Sequence, residues 1–279
     1  MIPQAFITEW QARAPWPQPV QIEQDLILSR LMIEIATRTP LADEFVMRGG
    51  TCLHKLHLPK ALRYSEDLDY VRRTITGIGT YLDALRELAA DVGLDVHSVE
   101  QKLTFVHVIL DAEPTTLPGR IRVKIETNIA ETEFFQEPIA IEHAVDSRWW
   151  QGKANVPTFA LTEMMATKLR ALYQRSKGRD LFDLWLVLTT ERPDPRTIVD
   201  GLRHYMREAV FTYRDLAVNL RDKLEDADFR SDLDPLVLAV PDGYSVAAAA
   251  DLVMEQLGAL LDNAPDRAEI DAGAWRGRG

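Results

Sequence analysis

GGT at residues 49–51 and RYSEDLDY at residues 63–70 are the two segments that decide the fold. The first predicts a glycine turn that opens a short helix, and the second predicts a short strand. Side chains alternate between the two faces of a strand, so Asp67 and Asp69 project from the same side. Two carboxylates that close repel each other, and a divalent cation between them would relieve the repulsion. Oxygen ligands beside a phosphate-sized glycine turn therefore indicate Mg²⁺ bound together with a nucleotide.

A second strand, predicted over 120–129, has the clearest alternating pattern in the chain. Its odd-numbered positions are mostly apolar, and its even-numbered positions are all polar. The polar face carries Arg120, Arg122, Lys124 and Glu126. Cations around a single carboxylate suit a site that handles phosphates and metal, although an exposed face of mixed charge would give the same pattern.

The composition of the 279-residue chain is that of a globular protein, with 46% hydrophobic and 27% charged residues. We expect no membrane association, because no apolar run reaches the length of a membrane span and no signal-peptide pattern opens the sequence. Cys52 is the only cysteine, which excludes disulfides and a thiolate metal site. A cytoplasmic location is therefore expected.

The formal net charge of −11 argues against a protein that coats nucleic acid through a globally basic surface. It does not exclude a local basic groove. Cations cluster on the polar face of the 120–129 strand, and again between Lys168 and Arg179. A solvated surface is the ordinary explanation of such clusters.

The order of predicted elements indicates an α+β fold, because the strands come first and helices follow alone. Helices are predicted over 22–38, 51–58, 78–91, 163–174, 179–189, 195–209, 212–226 and 245–262, and strands over 44–47, 65–71, 94–99, 103–110 and 120–129. The first twenty residues are predicted to be an irregular arm, and the end of 266–279 to be disordered. We place a domain over 1–155 and an all-helical domain over 156–279.

Several ordered blocks together resemble the AbiEii family of nucleotidyltransferases. They are GGT at 49–51, RYSEDLDY at 63–70, RVKIE at 122–126, EMMATKLRALYQR at 163–175 and RDLFDLW at 179–185. The family includes the toxins of type IV toxin–antitoxin systems, among them MenT-like toxins. A glycine pair with an isolated Asp-x-Asp would be weak evidence, whereas blocks in this order are specific.

The resemblance implies a polymerase-β-like nucleotidyltransferase fold, with a mixed sheet flanked by helices and a helical C-terminal domain that completes the active-site cleft. It also implies an NTP substrate and magnesium, with two Mg²⁺ ions that stabilise the attacking and leaving oxygens. We assign Asp67 and Asp69 to both metals. Glu126 is assigned to the metal that activates the acceptor hydroxyl, and it could also act as general base.

The glycine turn is the predicted phosphate site. Gly49, Gly50 and Thr51 would let backbone N–H groups approach the β- and γ-phosphates without obstruction, although a plain tight turn before a helix is the alternative. Arg63 would either contact phosphate or anchor the loop. Ser65 would lie beside the metals.

The second signature supplies further candidates. Lys168 lies within a helix among apolar residues, which is costly for a charge without a partner unless the side chain snorkels. The resemblance implies that Lys168 neutralises phosphate. Asp180 and Asp183 share one face at the start of a helix, where negative charge is also simply stabilising. The resemblance implies that Asp183 belongs to the active site and orients Lys168 or Arg179, with Asp180 as the weaker, nucleotide-binding candidate.

The resemblance implies transfer of a nucleotide to the 3′ end of tRNA, which blocks aminoacylation and translation. The predicted RNA-binding residues are Arg122, Lys124, Arg175, Lys177 and Arg179, which would contact backbone phosphates. A cognate antitoxin is implied, and a monomer is expected. The alternatives are transfer to a small molecule or a protein hydroxyl, and a catalytically silent nucleotide-binding scaffold.

Overall fold

The computed structural model describes residues 2–207 and 211–261. The chain divides into two compact units, Met1–Phe159 with Leu236–Leu238, and Ala160–Pro235 with Ala239–Gly279. The domain break placed at residue 155 falls inside the last strand of the first unit. The tail predicted to be disordered, 266–279, lies outside the described residues.

In the described residues of the first unit, seven strands form one mixed sheet in the order β3-β4-β5-β2-β1-β7-β6. Strands β2 and β5 are parallel, as are β1 and β7, and the other neighbours are antiparallel. The predicted α+β class is confirmed. The strands are β1 (Phe45–Arg48), β2 (Asp67–Arg72), β3 (Asp95–Gln101), β4 (Phe105–Ala112), β5 (Ile121–Asn128), β6 (Ile139–Asp146) and β7 (Gln151–Thr158).

The helices described in the first unit precede β1 or lie between β1, β2 and β3 in the sequence. They are α1 (Gln4–Trp10), α2 (Pro19–Thr37), α3 (Leu41–Glu44), α4 (Gly49–Cys52), which a π-helical segment Leu53–His57 continues, and α5 (Gly79–Val92). The predicted alternation of β5 is confirmed, since Ile121, Val123 and Ile125 are buried and the residues between them are not. Helix α2 packs against β5, β6 and β7.

The N-terminal arm was wrongly predicted to be irregular. Helix α1 forms within it, and α2 already begins at Pro19, since proline fits the first turn of a helix. The indole N–H groups of Trp10 and Trp16 each donate to the carboxylate of Asp25 at 2.8 Å. Asp25 is buried, so these hydrogen bonds fix the arm to α2.

The hairpin of β6 and β7 was not predicted. Most of β6 is exposed, so its sequence lacks a strong apolar alternation. Strand β7 contains Gly152, Asn155 and Pro157, residue types that are depleted in strands. Pairing with β1 and β6 overrides these weak local preferences.

The described residues of the second unit are helical, as predicted. Its helices are α6 (Leu161–Gln174), α7 (Gly178–Thr190), α8 (Pro195–Met206), α9 (Tyr213–Glu225), α10 (Ala227–Ser231) and α11 (Val246–Gln256), with short 3₁₀ turns at Asp234–Leu236 and Gly258–Leu260. Residues 208 and 209 of the predicted 195–209 helix lie outside the described part. Within that part, no helix combines the length and apolar composition needed to span a membrane.

Candidate active site

Strands β2 and β5 carry the three predicted metal ligands at neighbouring positions on one face of the sheet. Their parallel register places Asp67 opposite Lys124 and Asp69 opposite Glu126. The Nζ atom of Lys124 lies 3.1 Å from Oδ2 of Asp67 and 3.3 Å from Oε2 of Glu126. The ammonium group of Lys124 therefore pairs with two of the three carboxylates, those of Asp67 and Glu126.

The charges within this group are not balanced. Burial, together with the charges of Glu126 and Asp67, raises the pKa of Asp69 to about 6. Burial also acts to raise the pKa of Glu126, but Lys124 and His107 outweigh it and hold that pKa below its ordinary value. At neutral pH the group therefore carries more negative charge than its neighbours compensate.

The donor set fits magnesium, although the side chains are not arranged around a metal ion. In residues 2–207 and 211–261, no three His, Cys, Asp or Glu side chains form a metal-holding group. The ammonium of Lys124 lies where a cation would meet Asp67 and Glu126. An ammonium and a divalent cation can both pair with carboxylate oxygens. Mg²⁺ prefers oxygen ligands, commonly one or two carboxylates together with water and substrate phosphates.

The glycine turn packs directly against these carboxylates. Gly49 begins α4 with a φ of +85°, and a Cβ atom there would lie only 2.1 Å from Oδ2 of Asp69. A Cβ atom on Gly50 would lie 2.6 Å from a guanidinium nitrogen of Arg63 and 2.8 Å from Oγ of Ser65. Gly49 is therefore favoured by both close approach and backbone conformation, whereas a side chain at Gly50 would displace Arg63 and Ser65.

Thr51 and Arg63 hold the glycine turn and the loop before β2 in place. The hydroxyl of Thr51 donates to the backbone carbonyl of Asp67 at 2.6 Å, which ties the turn to β2. Arg63 is only 2% exposed, and its Nη1 donates to the carbonyl of Tyr64. Of the two roles considered for Arg63, anchoring the loop is the one its burial supports.

Two residues that the sequence did not single out extend the site across the sheet. The register aligns Arg48 of β1 with Asp69, and His107 of β4 with Glu126. Arg48 lowers the pKa of Asp69, and Nε2 of His107 lies 2.8 Å from Oε2 of Glu126. Alternation along β4 predicts that His107 faces away from Val106 and Val108, but only the register shows that it meets Glu126.

A second group of predicted residues lies in the helical unit. Lys168 of α6 is buried, and its Nζ lies 3.0 Å from Oδ1 of Asp180 and 2.7 Å from Oδ2 of Asp183 on α7. Arg175 donates to both oxygens of Asp180, from Nε at 2.8 Å and from Nη2 at 3.0 Å. Burial alone would raise the pKa of Asp180, but Lys168 and Arg175 hold it below its ordinary value. The side chain of Lys168 does not extend to solvent, because its ammonium group pairs with two buried carboxylates.

The predicted RNA-binding cations have acidic partners within their own units. Arg122 lies 3.6 Å from Asp111, and Lys177 and Arg179 lie 3.6 Å and 3.8 Å from Asp232. These pairs reduce the local positive charge. The side chain of Arg122 is nevertheless 62% exposed, so it remains accessible to a phosphate.

Comparisons with known proteins identify the family and the fold. The family model described as nucleotidyl transferase AbiEii toxin, type IV TA system, matches residues 30–263. MenT4, a nucleotidyltransferase toxin from Mycobacterium tuberculosis H37Rv, has a TM-score of 0.66 and 18% identity, over 99% of this chain and 94% of that one. JHP933 from Helicobacter pylori has a TM-score of 0.50 and 16% identity, over 88% of this chain and 93% of that one. No curated protein matches the chain.

At these identities the two structures show the fold alone. The family model covers most of the chain, and it includes both groups of site residues described above. This chain therefore belongs to the AbiEii family of nucleotidyltransferase toxins of type IV toxin–antitoxin systems.

Proposed function

We propose that this protein transfers a nucleotide from an NTP to the 3′ end of tRNA in the cytoplasm, and thereby blocks aminoacylation and translation. The observation that carries the chemistry is the register of β2 and β5, which sets Asp69 opposite Glu126 and Asp67 opposite Lys124. When bound there, two Mg²⁺ ions would stabilise the attacking and leaving oxygens. Asp67, Asp69 and Glu126 would hold them.

In the reaction, the 3′-hydroxyl oxygen bonds to the α-phosphorus while the bond to the β-phosphate oxygen breaks, and pyrophosphate leaves. The proton of the hydroxyl passes to a base. The lowered pKa of Glu126 suits a ligand that stays ionised better than a strong base. Gly49, Gly50 and Thr51 would bind the β- and γ-phosphates, with Ser65 beside them.

Family membership supports a nucleotide-binding role for the buried cluster of the helical unit. We assign Lys168 to phosphate neutralisation, and Asp183 and Asp180 to holding its ammonium. The short distances from Lys168 to both carboxylates support this positioning role. We propose that the protein acts as a monomer, and that a cognate antitoxin restrains it.

The identity of the acceptor is inferred mainly from family membership. An RNA acceptor would be bound by Arg122, Lys124, Arg175, Lys177 and Arg179, and the exposure of Arg122 and Lys177 supports phosphate contacts. The acidic partners of these cations favour a second candidate, which is transfer to a small molecule or a protein hydroxyl. A small acceptor would need no basic surface.

Label transfer from each α-labelled NTP to total tRNA, with Mg²⁺, tests the proposal and separates the two acceptors. Charge reversal at Arg175 would disturb buried Asp180, so Arg122→Glu and Lys177→Glu are the better variants. An RNA acceptor predicts reduced labelling in both variants and a steep loss of wild-type activity with salt. No labelling of tRNA by the wild-type protein would instead support the small acceptor, and equal labelling in all proteins would remove Arg122 and Lys177 from RNA binding.

A further inference from the structure

His107 lies directly opposite Glu126 in the antiparallel register of β4 and β5. Its Nε2 is 2.8 Å from Oε2 of Glu126. We propose that His107 is a positioning residue that fixes the Glu126 carboxylate for binding of the divalent cation. This inference rests on the proposed function, because it assigns Glu126 to metal binding.

The imidazole ring of His107 is itself held on two sides. It stacks on Phe105, with ring centroids 4.3 Å apart and the planes inclined by 21°. Its Nδ1 lies 3.8 Å from Oε2 of Glu100, which is the residue opposite His107 on β3. Stacking fixes the plane of the ring, and the contact with Glu100 leaves Nε2 directed at Glu126. A ligand whose partner is fixed in this way loses less freedom when it binds a cation.

The contacts also select one oxygen of Glu126. In the described part of the chain, His107 and Lys124 both reach Oε2. A cation that replaces the ammonium of Lys124 would leave Oε2 held by His107. Carboxylates that bind metal ions are commonly held by hydrogen bonds from outer-shell groups in this way.

The same sheet offers a matched control in His97. Its Nδ1 lies 3.3 Å from Oδ2 of Asp111, so it also forms a histidine–carboxylate pair between β3 and β4. Asp111 is not among the proposed metal ligands. Replacement of His97 therefore reproduces the loss of a histidine–carboxylate contact without touching Glu126.

The experiment titrates Mn²⁺ alone into wild type, His107→Phe, His107→Gln and His97→Phe, and measures free Mn²⁺ by EPR spectroscopy. His107→Phe keeps a ring on Phe105 but removes the donor, whereas His107→Gln keeps an N–H donor. We expect about tenfold weaker Mn²⁺ binding in His107→Phe, the effect typical of lost outer-shell contacts. Partial recovery is expected in His107→Gln, and wild-type affinity in His97→Phe. NTP affinity without metal should be equal in all four proteins.

The outcomes separate this inference from the proposed function. Equal Mn²⁺ affinity in wild type and His107→Phe overturns the role of His107 and leaves the proposed reaction standing. Equal losses in His107→Phe and His97→Phe also overturn it, because they would reflect general damage to the sheet. If Mn²⁺ binding depends on His107 but the wild-type protein labels no RNA, the role of His107 is supported and RNA is excluded as the acceptor. A wild-type protein that binds no Mn²⁺ overturns both.

Discussion

Asp69 and Glu126 lie directly opposite each other on the parallel strands β2 and β5. Both are partly buried, and their repulsion contributes to the raised pKa of Asp69. Arg48, opposite Asp69 on its other side, and Lys124 offset this repulsion only in part. The fold thus keeps two acidic side chains in an arrangement that a bound cation would stabilise, which is typical of functional sites.

The first prediction concerns the stability of the metal-free protein. Because the pKa of Asp69 is raised to about 6 from 3.8, its favourable contribution is present at low pH and is lost as the pH rises through 6. Asp69→Asn removes this loss. In urea unfolding with EDTA, we expect the variant to be more stable than wild type by on the order of 1–3 kcal/mol at about pH 7.5, and to gain little at about pH 4.

Asp83→Asn is the control for this measurement, since Asp83 is an exposed carboxylate on α5. Its unfolding free energy should stay within about 0.5 kcal/mol of wild type at both pH values. An Asp69→Asn protein that is no more stable than wild type near neutral pH would show that the carboxylates do not repel each other as described.

The second prediction concerns the glycine turn. Gly49 and Gly93 both have positive φ, +85° and +74°, but a Cβ atom at Gly93 would meet nothing within 4 Å. Gly93→Ala should therefore cost about 1 kcal/mol of stability from backbone strain alone and keep activity. Gly49→Ala should in addition displace the Asp69 carboxylate and lower kcat roughly 100-fold. Equal activities of the two variants would contradict the close packing of the turn on Asp69.

The third prediction concerns the buried cluster of the helical unit. Lys168→Met leaves Asp180 and Asp183 without the ammonium that they share, so the free energy of unfolding should fall by about 3–5 kcal/mol. The double variant with Asp183→Asn should regain part of this loss, because it removes the charge of Asp183, whereas Arg175 still pairs with Asp180. Urea unfolding at neutral pH measures both. A double variant less stable than Lys168→Met would show that the charge of Asp183 is not the cause of the lost stability.

The fourth prediction concerns Lys124. If its ammonium lies where a cation would bind, Lys124→Met should bind Mn²⁺ about tenfold more tightly than wild type, because a competing positive charge is removed. Arg122→Met is the control: Arg122 lies on the same strand face but contacts Asp111 instead. Its Mn²⁺ affinity should equal that of wild type. Weaker binding by Lys124→Met would place the cation elsewhere.

Local patterns predicted much of the carboxylate site. Alternation along 120–129 fixed which residues of β5 face the core, and the spacing of Asp67 and Asp69 put both on one face. Alternation gives no information about the register between strands that are distant in the sequence. For that reason the contact of His107 with Glu126 was not predicted.

Contacts between residues that are distant in the sequence explain the other differences between the predictions and the structure. The arm is helical because Trp10 and Trp16 reach Asp25, and composition alone, rich in proline, suggested an irregular segment. Arg175 was grouped with free surface cations, whereas it holds both oxygens of buried Asp180. Charge clusters in a sequence give no information about which acidic side chain neutralises each cation.

The most direct test of the account is sequencing of RNA 3′ ends from cells that express this protein or its Asp69→Ala variant. We predict extra nucleotides at tRNA 3′ ends in the wild-type sample and unmodified ends in the variant sample. Unmodified tRNA ends in both samples, from cells in which the wild-type protein arrests growth and the variant does not, would contradict tRNA as the acceptor.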